Sequence, residues 1–348
     1  MPQLLPKLDI WALGNARWGY RLFKSPNRIC ASCSFTLIPN MKRRQFTAAL
    51  AGLLCLSSRA YGTGNVFLDY DQAALDQAYD QRNWAPNFAD VIARYSTDSA
   101  AARAQFPPRT ERYGPGDETL DIFSPPVTRP GRKLPVMVFV HGGAWRALSK
   151  DDASAPAGTF VSNGCLYVAL NFSNIPAVRL PEMAKQCQKA ILWLYANIER
   201  FGGDANRIFV SGHSSGGHLC AVLLTTDWPS LGAPMDVIKG GVTMSGMYDL
   251  YPVMKSSRSS YVKLVGDEMA EFSPMRHLGK IRCPVIVVSG DKESPEFKRQ
   301  AADFATALAG MGMLKERFTL ANCNHFEVPE ALNNQRTPLS TAVLKMMS

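Results

Sequence analysis

A short apolar run, Ile208, Phe209 and Val210, stops in Ser211, Gly212, His213, Ser214, Ser215, Gly216 and Gly217, and no other stretch constrains the chain as much. A β-branched run closed by small residues reads as a buried strand entering a sharp turn. The G-x-S-x-G spacing there predicts a strand-to-helix turn so tight that small residues must flank the serine, leaving the Ser214 hydroxyl clear at the head of a helix. Ser214 is therefore the candidate nucleophile. Without partners the same residues would be an ordinary Gly- and Ser-rich turn, so the rest of the chain has to supply them.

Leu134 to Val140, Cys165 to Asn171, Gly241 to Ser245 and Pro284 to Ser289 are further short apolar runs, separated from that strand and from one another by helix-length segments. Strands buried on both faces look like this. One helix is predicted from Pro181, with Met183, Cys187, Ile191, Leu194 and Ile198 in one stripe, until Gly202 ends it; a second runs from Pro295 to Leu308. The alternation predicts an α/β fold, a mostly parallel, doubly wound, twisted sheet with helices on both faces. Reactive groups then belong beyond the carboxyl ends of the strands. Upstream, Arg109 to Tyr113 and Thr119 to Phe123 flank a turn cluster and predict an antiparallel hairpin, and Asp69 to Arg94 has the helical spacing of a small cap.

The formal charge of +9 hints at a polyanion partner until it is located. Residues 1 to 60 hold nine Lys or Arg against Asp9 alone, so they carry +8 and leave the remainder near neutral. That argues against a nucleic-acid surface. Within the basic segment, Met41 opens Lys42, Arg43, Arg44, Gln45 and Phe46, and an apolar run from Thr47 to Leu56 follows. The order of charges, apolar run and small residues at Ser58 to Ala60 predicts a Tat- or Sec-like export signal over 41–60. We therefore expect residues 1–40 to be an extension without a fold, residues 61–348 to form a single domain, and the product to be periplasmic or secreted, with a cytoplasmic protein as the alternative. The apolar run is too short for a stable membrane span, which takes about 20 residues. Beyond residue 60 lie Cys165, Cys187, Cys220, Cys283 and Cys323, an odd number with no C-x-x-C pair. Core thiols are expected, with no metal and no cofactor.

His141, Gly142, Gly143, Ala144 and Trp145 follow the run Leu134 to Val140 at once. Backbone N–H groups at two glycines, Gly142 and Gly143, are free of side-chain cover, and with the N–H of Ser215 they are the candidate oxyanion hole. A serine hydroxyl needs a base. His213 should point away from its neighbour Ser214, His218 should pack along the next helix, His277 should lie at the surface, and His141 should brace its loop. His325, in Asn324, His325, Phe326, Glu327 after the strand-like run Arg317 to Leu320, is the candidate base. Asp291 and Glu293 compete to orient it; we prefer Glu293, because a G-x-x-D/E spacing carries the acid round the turn after Ser289, while Asp291 suits a turn hydrogen bond. Trp145 and Tyr248, the tyrosine beside Asp249, are expected to shape a small apolar substrate pocket with the stretch from Met247 to Tyr261.

These residues carry a resemblance. H-G-G-x-W at 141–145, G-H-S-S-G-G at 212–217, G-M-Y-D-L at 246–250, E-S-P-E-F-K-R-Q at 293–300, N-H-F-E at 324–327 and Tyr79 to Arg82 are similar to motifs of the α/β-hydrolase fold, and within it of HGG-type esterases related to kynurenine formamidase. The resemblance covers about residues 69 to 330 and implies hydrolysis of a small carboxylic ester or aryl formamide through an acyl-enzyme. Kynurenine formamidase proper is the alternative, and a non-catalytic exported binding protein is the rival of a different class. The export signal departs from the family pattern and weakens the case for a cytosolic role.

Overall fold

The computed structural model describes residues 64–126 and 131–348. The predicted export signal and the extension before it lie outside these residues. Eight strands are present among them: β1 (Arg109–Arg112), β2 (Thr119–Phe123), β3 (Leu134–Val140), β4 (Leu166–Leu170), β5 (Gly203–His213), β6 (Ile238–Met244), β7 (Val285–Gly290) and β8 (Leu314–Leu320). They form one sheet in the order β1-β2-β4-β3-β5-β6-β7-β8. The β1–β2 hairpin and the β2–β4 pair are antiparallel, and every later pair is parallel. All residues of β3 and β4 are buried. Their period of two sends Val136, Val138 and Val140 into one core and Met137 and Phe139 into the other. Each such side chain taken fully out of water contributes about 1.5–3 kcal/mol.

The longer helices are α1 (Gln72–Tyr79), α2 (Phe88–Gln105), α3 (Leu180–Asn197), α4 (Ser215–Leu224), α5 (Pro295–Gly310) and α6 (Pro338–Met347). The first core is covered by α3, α4 and α5, and the second by α6 and a short helix at Ala157–Val161. Pro181 stands in the first turn of α3, and Gly202, at φ 83°, ends the 3-10 turn that follows it. Helix α2 runs well past Arg94, where the sequence reading stopped. Its buried stripe is Val91, Tyr95 and Ser99, and a serine in the third position breaks the apolar signal. Ser99 is buried because its hydroxyl accepts the N–H groups of Ser154 (3.0 Å) and Ala155 (3.1 Å). The five cysteines beyond residue 60 are free thiols, all buried except the half-buried Cys323.

Helix α2 is tied to the sheet by one carboxylate. Asp121, fully buried in β2, accepts from Thr110 Oγ1 (2.6 Å), Lys150 Nζ (3.0 Å) and Arg103 Nη1. Burial by itself would raise this carboxyl, but the bonds from Thr110, Arg103 and Lys150 outweigh it and hold the pKa below the ordinary carboxylate range. A depressed pKa contributes stability above the unfolded-chain value of about 3.9, and that contribution is lost as pH falls through the lower folded value. Asp121→Ala is therefore expected to cost about 3 kcal/mol in urea unfolding at neutral pH, because it removes the buried carboxylate from Arg103 and Lys150 and leaves them the exposed Asp151. The difference from wild type should shrink on acidification below about pH 4.

Candidate active site

Strand β5 ends at His213, and the next residue bends the chain sharply. Ser214 has φ 57° and ψ −120°, while its N–H donates to Met244 O (2.9 Å) and its carbonyl accepts from His218 N (3.0 Å) to open α4. A Cβ on Gly216 would stand 2.1 Å from Val140 O and 2.3 Å from His141 O, so only glycine lets α4 start this close to the end of β3. The turn holds the serine side chain off the backbone ladder, where other loops can reach it.

The loop after β8 does so. His325 Nε2 lies 2.9 Å from Ser214 Oγ, and His325 Nδ1 lies 3.0 Å from Glu293 Oε1. All three side chains are buried. Asp291 is exposed and bonds nothing in this group. Burial raises Glu293 to about 7, opposed first by the Ser245 hydroxyl. Neither Ser245 Oγ nor Glu293 Oε2 makes a hydrogen bond of good geometry among the described residues. Burial pushes His325 down to about 3, and the positive charge of Arg258 adds to that shift. A neutral imidazole facing a hydroxyl is the state in which it can take the hydroxyl proton.

Several contacts fix the imidazole. His213 Nε2 bonds the His325 carbonyl (2.8 Å), and the Phe297 ring meets His325 edge-on at 4.8 Å. The cap clamps the same loop: Asn324 Nδ2 donates to Asn87 Oδ1 (2.8 Å), Asn87 Nδ2 to Glu327 Oε1 (2.9 Å), and Tyr95 OH to Phe326 O. The sequence reading sent His213 away from the nucleophile. It makes no bond to Ser214, yet its ring lies tilted at 4.7 Å from the His325 ring and braces it. Its signal was its place beside Ser214, since the residue before the turn faces whatever meets the serine. His218 packs as expected, with its Nε2 on Phe272 O (2.8 Å), and His277 is half-buried, with its Nε2 on Ala270 O (3.0 Å). His141 stacks on Phe172 at 4.2 Å, with Nδ1 on the Gly142 carbonyl (2.9 Å).

The N–H groups of Gly142, Gly143 and Ser215 have no acceptor among the described residues. Gly143, at φ 101°, heads a left-handed run with Ala144 and Trp145, and a Cβ there would stand 2.0 Å from Ala147 O. Gly143 and Ser214 line a cavity of about 600 Å³, whereas Gly142 lines a cavity of about 30 Å³ behind the loop. The larger cavity is walled by Tyr79 and Arg82 of the cap, by Phe88 and Tyr95, and by Arg258 and Tyr261.

The pocket expected from Trp145 and Tyr248 is not there. Both side chains are fully buried in the first core. Trp145 Nε1 donates to His218 Nδ1 (3.3 Å), and Tyr248 stacks on Phe304 at 4.1 Å. The left-handed backbone at Trp145 turns its indole inward, and Gln300 Oε1 accepts the N–H groups of Tyr248 and Asp249 (2.9 Å each), which draws that segment onto α5. The later part of the same stretch, Ser257, Arg258 and Tyr261, is what reaches the cavity.

A model of the BD-FAE family matches residues 120–308. The chain is 28% identical to kynurenine formamidase of Danio rerio over 78% of this chain and 95% of that one. It is 30% identical to esterase LipQ of Mycobacterium tuberculosis over 61% of this chain and 55% of that one. Among solved structures, a provisionally assigned thioesterase from Silicibacter sp. TM1040 superposes with a TM-score of 0.67 at 28% identity, covering 77% of this chain and 98% of that one. An esterase from Pyrobaculum calidifontis shares the fold at a TM-score of 0.53 and 20% identity, over 75% and 92% of the two chains. The architecture is that of the α/β hydrolases.

Because Trp145 belongs to the core, Trp145→Phe should leave KM for short esters unchanged. It should cost about 1–2 kcal/mol in chemical denaturation, since it strands the buried Nδ1 of His218.

Proposed function

The chain belongs to the BD-FAE family and is a hydrolase of ester or formamide bonds, and from that premise we propose that it works as a serine hydrolase through an acyl-enzyme. The observation that carries the reading is the buried relay from Ser214 Oγ through His325 to Glu293, with spans of 2.9 and 3.0 Å. In this reading Ser214 Oγ attacks the carbonyl carbon while its proton passes to His325 Nε2. Glu293 holds the imidazole by Nδ1 and stabilises the imidazolium that forms. Of the three candidate donors, the N–H groups of Gly143 and Ser215 receive the oxyanion, each worth about 3 kcal/mol in the transition state, while Gly142 lines the smaller cavity. His325 then returns the proton to the departing alcohol or amine. Water, deprotonated by the same imidazole, cleaves the acyl or formyl group from Ser214.

The substrate we favour is a small carboxylic ester or aryl formamide, which a cavity of about 600 Å³ can enclose. The relative named kynurenine formamidase makes N-formylkynurenine the first formamide to test against short acyl esters. We further propose that residues 41–60 direct export, on the order of Arg43, Arg44, the apolar run and Ser58 to Ala60; a secreted product whose N-terminal sequence begins near residue 61 would bear that out.

A serine-directed fluorophosphonate should label wild type at Ser214 and fail on Ser214→Ala, whose kcat should fall by about 10⁴-fold or more. Glu293→Gln should also lose about 10⁴-fold in kcat with KM little changed, because an amide cannot stabilise the imidazolium. Full activity in Ser214→Ala would remove the mechanism.

A further inference from the structure

Three arginines line the cavity that Ser214 and His325 share: Arg82, Arg146 and Arg258. Arg82 is answered, since Asp80 accepts from its Nε (2.8 Å) and Nη2 (2.6 Å). The other two form no ion pair among the described residues. Arg258 Nε and Nη2 both donate to the Tyr79 carbonyl (3.2 and 2.6 Å), and Nη1 contacts Met247 Sδ (3.7 Å). Each terminal nitrogen of Arg258 therefore keeps a second N–H without a partner among the described residues. The guanidinium is half-buried and lies within 5.8 Å of the Tyr79, Trp145 and Phe297 ring centroids. Arg146 stands on the rim, its guanidinium 4.7 Å from the Tyr261 ring centroid.

A guanidinium does not shed its proton at any ordinary pH, so this charge stays in the cavity whatever binds there. The carboxylates nearby are committed: Asp80 to Arg82, Glu296 to Arg299 (2.7 Å), and Glu293 to His325 behind the nucleophile. A half-buried fork with spare donors and no ion-pair partner among the described residues has the geometry to bind a carboxylate.

We infer that the site selects esters or formamides that carry a carboxylate, bound by Arg258 and steered in past Arg146. The inference rests on the reading of Ser214 and His325 as the reacting pair. It also links binding to chemistry. Together with Arg82, Arg146 and Asp80, Arg258 lines the same cavity as the imidazole, which also meets Glu293 Oε1 at 3.0 Å and the His213 ring at 4.7 Å. The Arg258 charge disfavours the imidazolium that the reaction must form. A bound carboxylate cancels that charge, so the anionic substrate restores the base that a neutral one leaves hindered.

The test compares matched pairs: 4-nitrophenyl hemisuccinate with 4-nitrophenyl butyrate for a charge in the acyl half, and 3-carboxyphenyl acetate with phenyl acetate for one in the leaving group. Wild type should favour the carboxylate ester in at least one pair by about tenfold or more in kcat/KM. Arg258→Gln should lower that preference by about tenfold, and Arg146→Gln by less, as suits an exposed charge. With the neutral ester, Arg258→Gln should also move the acid limb of the kcat/KM profile to higher pH, which loss of packing alone would not do. If Arg258→Gln does not fold, Arg146→Gln carries the comparison, since the Arg146 side chain makes no hydrogen bond among the described residues. Equal or better turnover of the neutral ester in both wild-type pairs overturns the inference while leaving the serine hydrolase intact. Should no ester be cleaved and Ser214 resist labelling, the hydrolase reading fails by itself. Calorimetry of the uncleaved pairs on Ser214→Ala then decides the anion preference, which equal affinities would overturn.

Discussion

The turn at Ser214 is the constraint on which the rest of the structure depends. A serine at φ 57° is in a conformation that non-glycine residues rarely hold, at a cost of order 1–3 kcal/mol. It persists because its surroundings leave no alternative. The Ser214 N–H is bound to β6 through Met244 O, its carbonyl starts α4, and Gly216 lets the helix abut the end of β3. The sheet order puts β5 between β3 and β6, so the turn receives the Gly142–Gly143 loop from one neighbour and its hydrogen-bond anchor from the other. The central position of β5 is thus a requirement of the local geometry as well as of the topology.

The cap turns that geometry into a fixed site. The loop carrying His325 follows β8, the edge strand, which is only partly buried. One bond from the sheet, His213 Nε2 to the His325 carbonyl (2.8 Å), does not by itself register such a loop on Ser214. The cap does, through Asn87 and Tyr95, while Gln81 meets Ser294 (2.8 Å) at the start of α5, beside Glu293. Tyr79 reaches Glu296 (2.9 Å) and Gln300 (3.1 Å) on the same helix, and its carbonyl holds Arg258. The loop carrying His325 and the helix that begins beside Glu293 are therefore registered by one N-terminal segment.

Much of this was legible in the sequence because the strands are buried on both faces and the turns are rich in glycine. β3 is bounded to the residue because its apolar run ends abruptly where the chain leaves the core, and β2 because alternation beside a turn cluster marks the hairpin. Helix α2 was cut short because Ser99 is buried for its hydroxyl, and hydropathy does not see a hydrogen bond. Helix α6 went unread although Leu339, Val343 and Met347 are buried in a four-residue stripe. The proposed site was legible wherever a residue type is tied to a chain position, as with Ser214, His325 and Glu293. The pocket was misread for the opposite reason: an aromatic after a glycine pair can turn in or out, and only the left-handed backbone at Trp145, with His218 waiting beneath it, decides that it turns in.

The same physics explains why the cavity wall is so polar. Once Trp145 and Tyr248 are spent on the core, the wall beside Ser214 has to come from the cap and from the segment around Arg258. The Arg258 guanidinium lies within 5.8 Å of the Tyr79, Trp145 and Phe297 ring centroids and bonds the Tyr79 carbonyl while it lines the cavity. An apolar residue there would fill the space but leave the buried carbonyl of Tyr79 unsatisfied, at about 1–3 kcal/mol. Lysine would reach that carbonyl from one point and present no fork. Arginine alone satisfies the cap and still offers donors to a ligand. The residue that docks Tyr79 onto the body of the enzyme is thereby also the one that sets the charge its substrate has to bring.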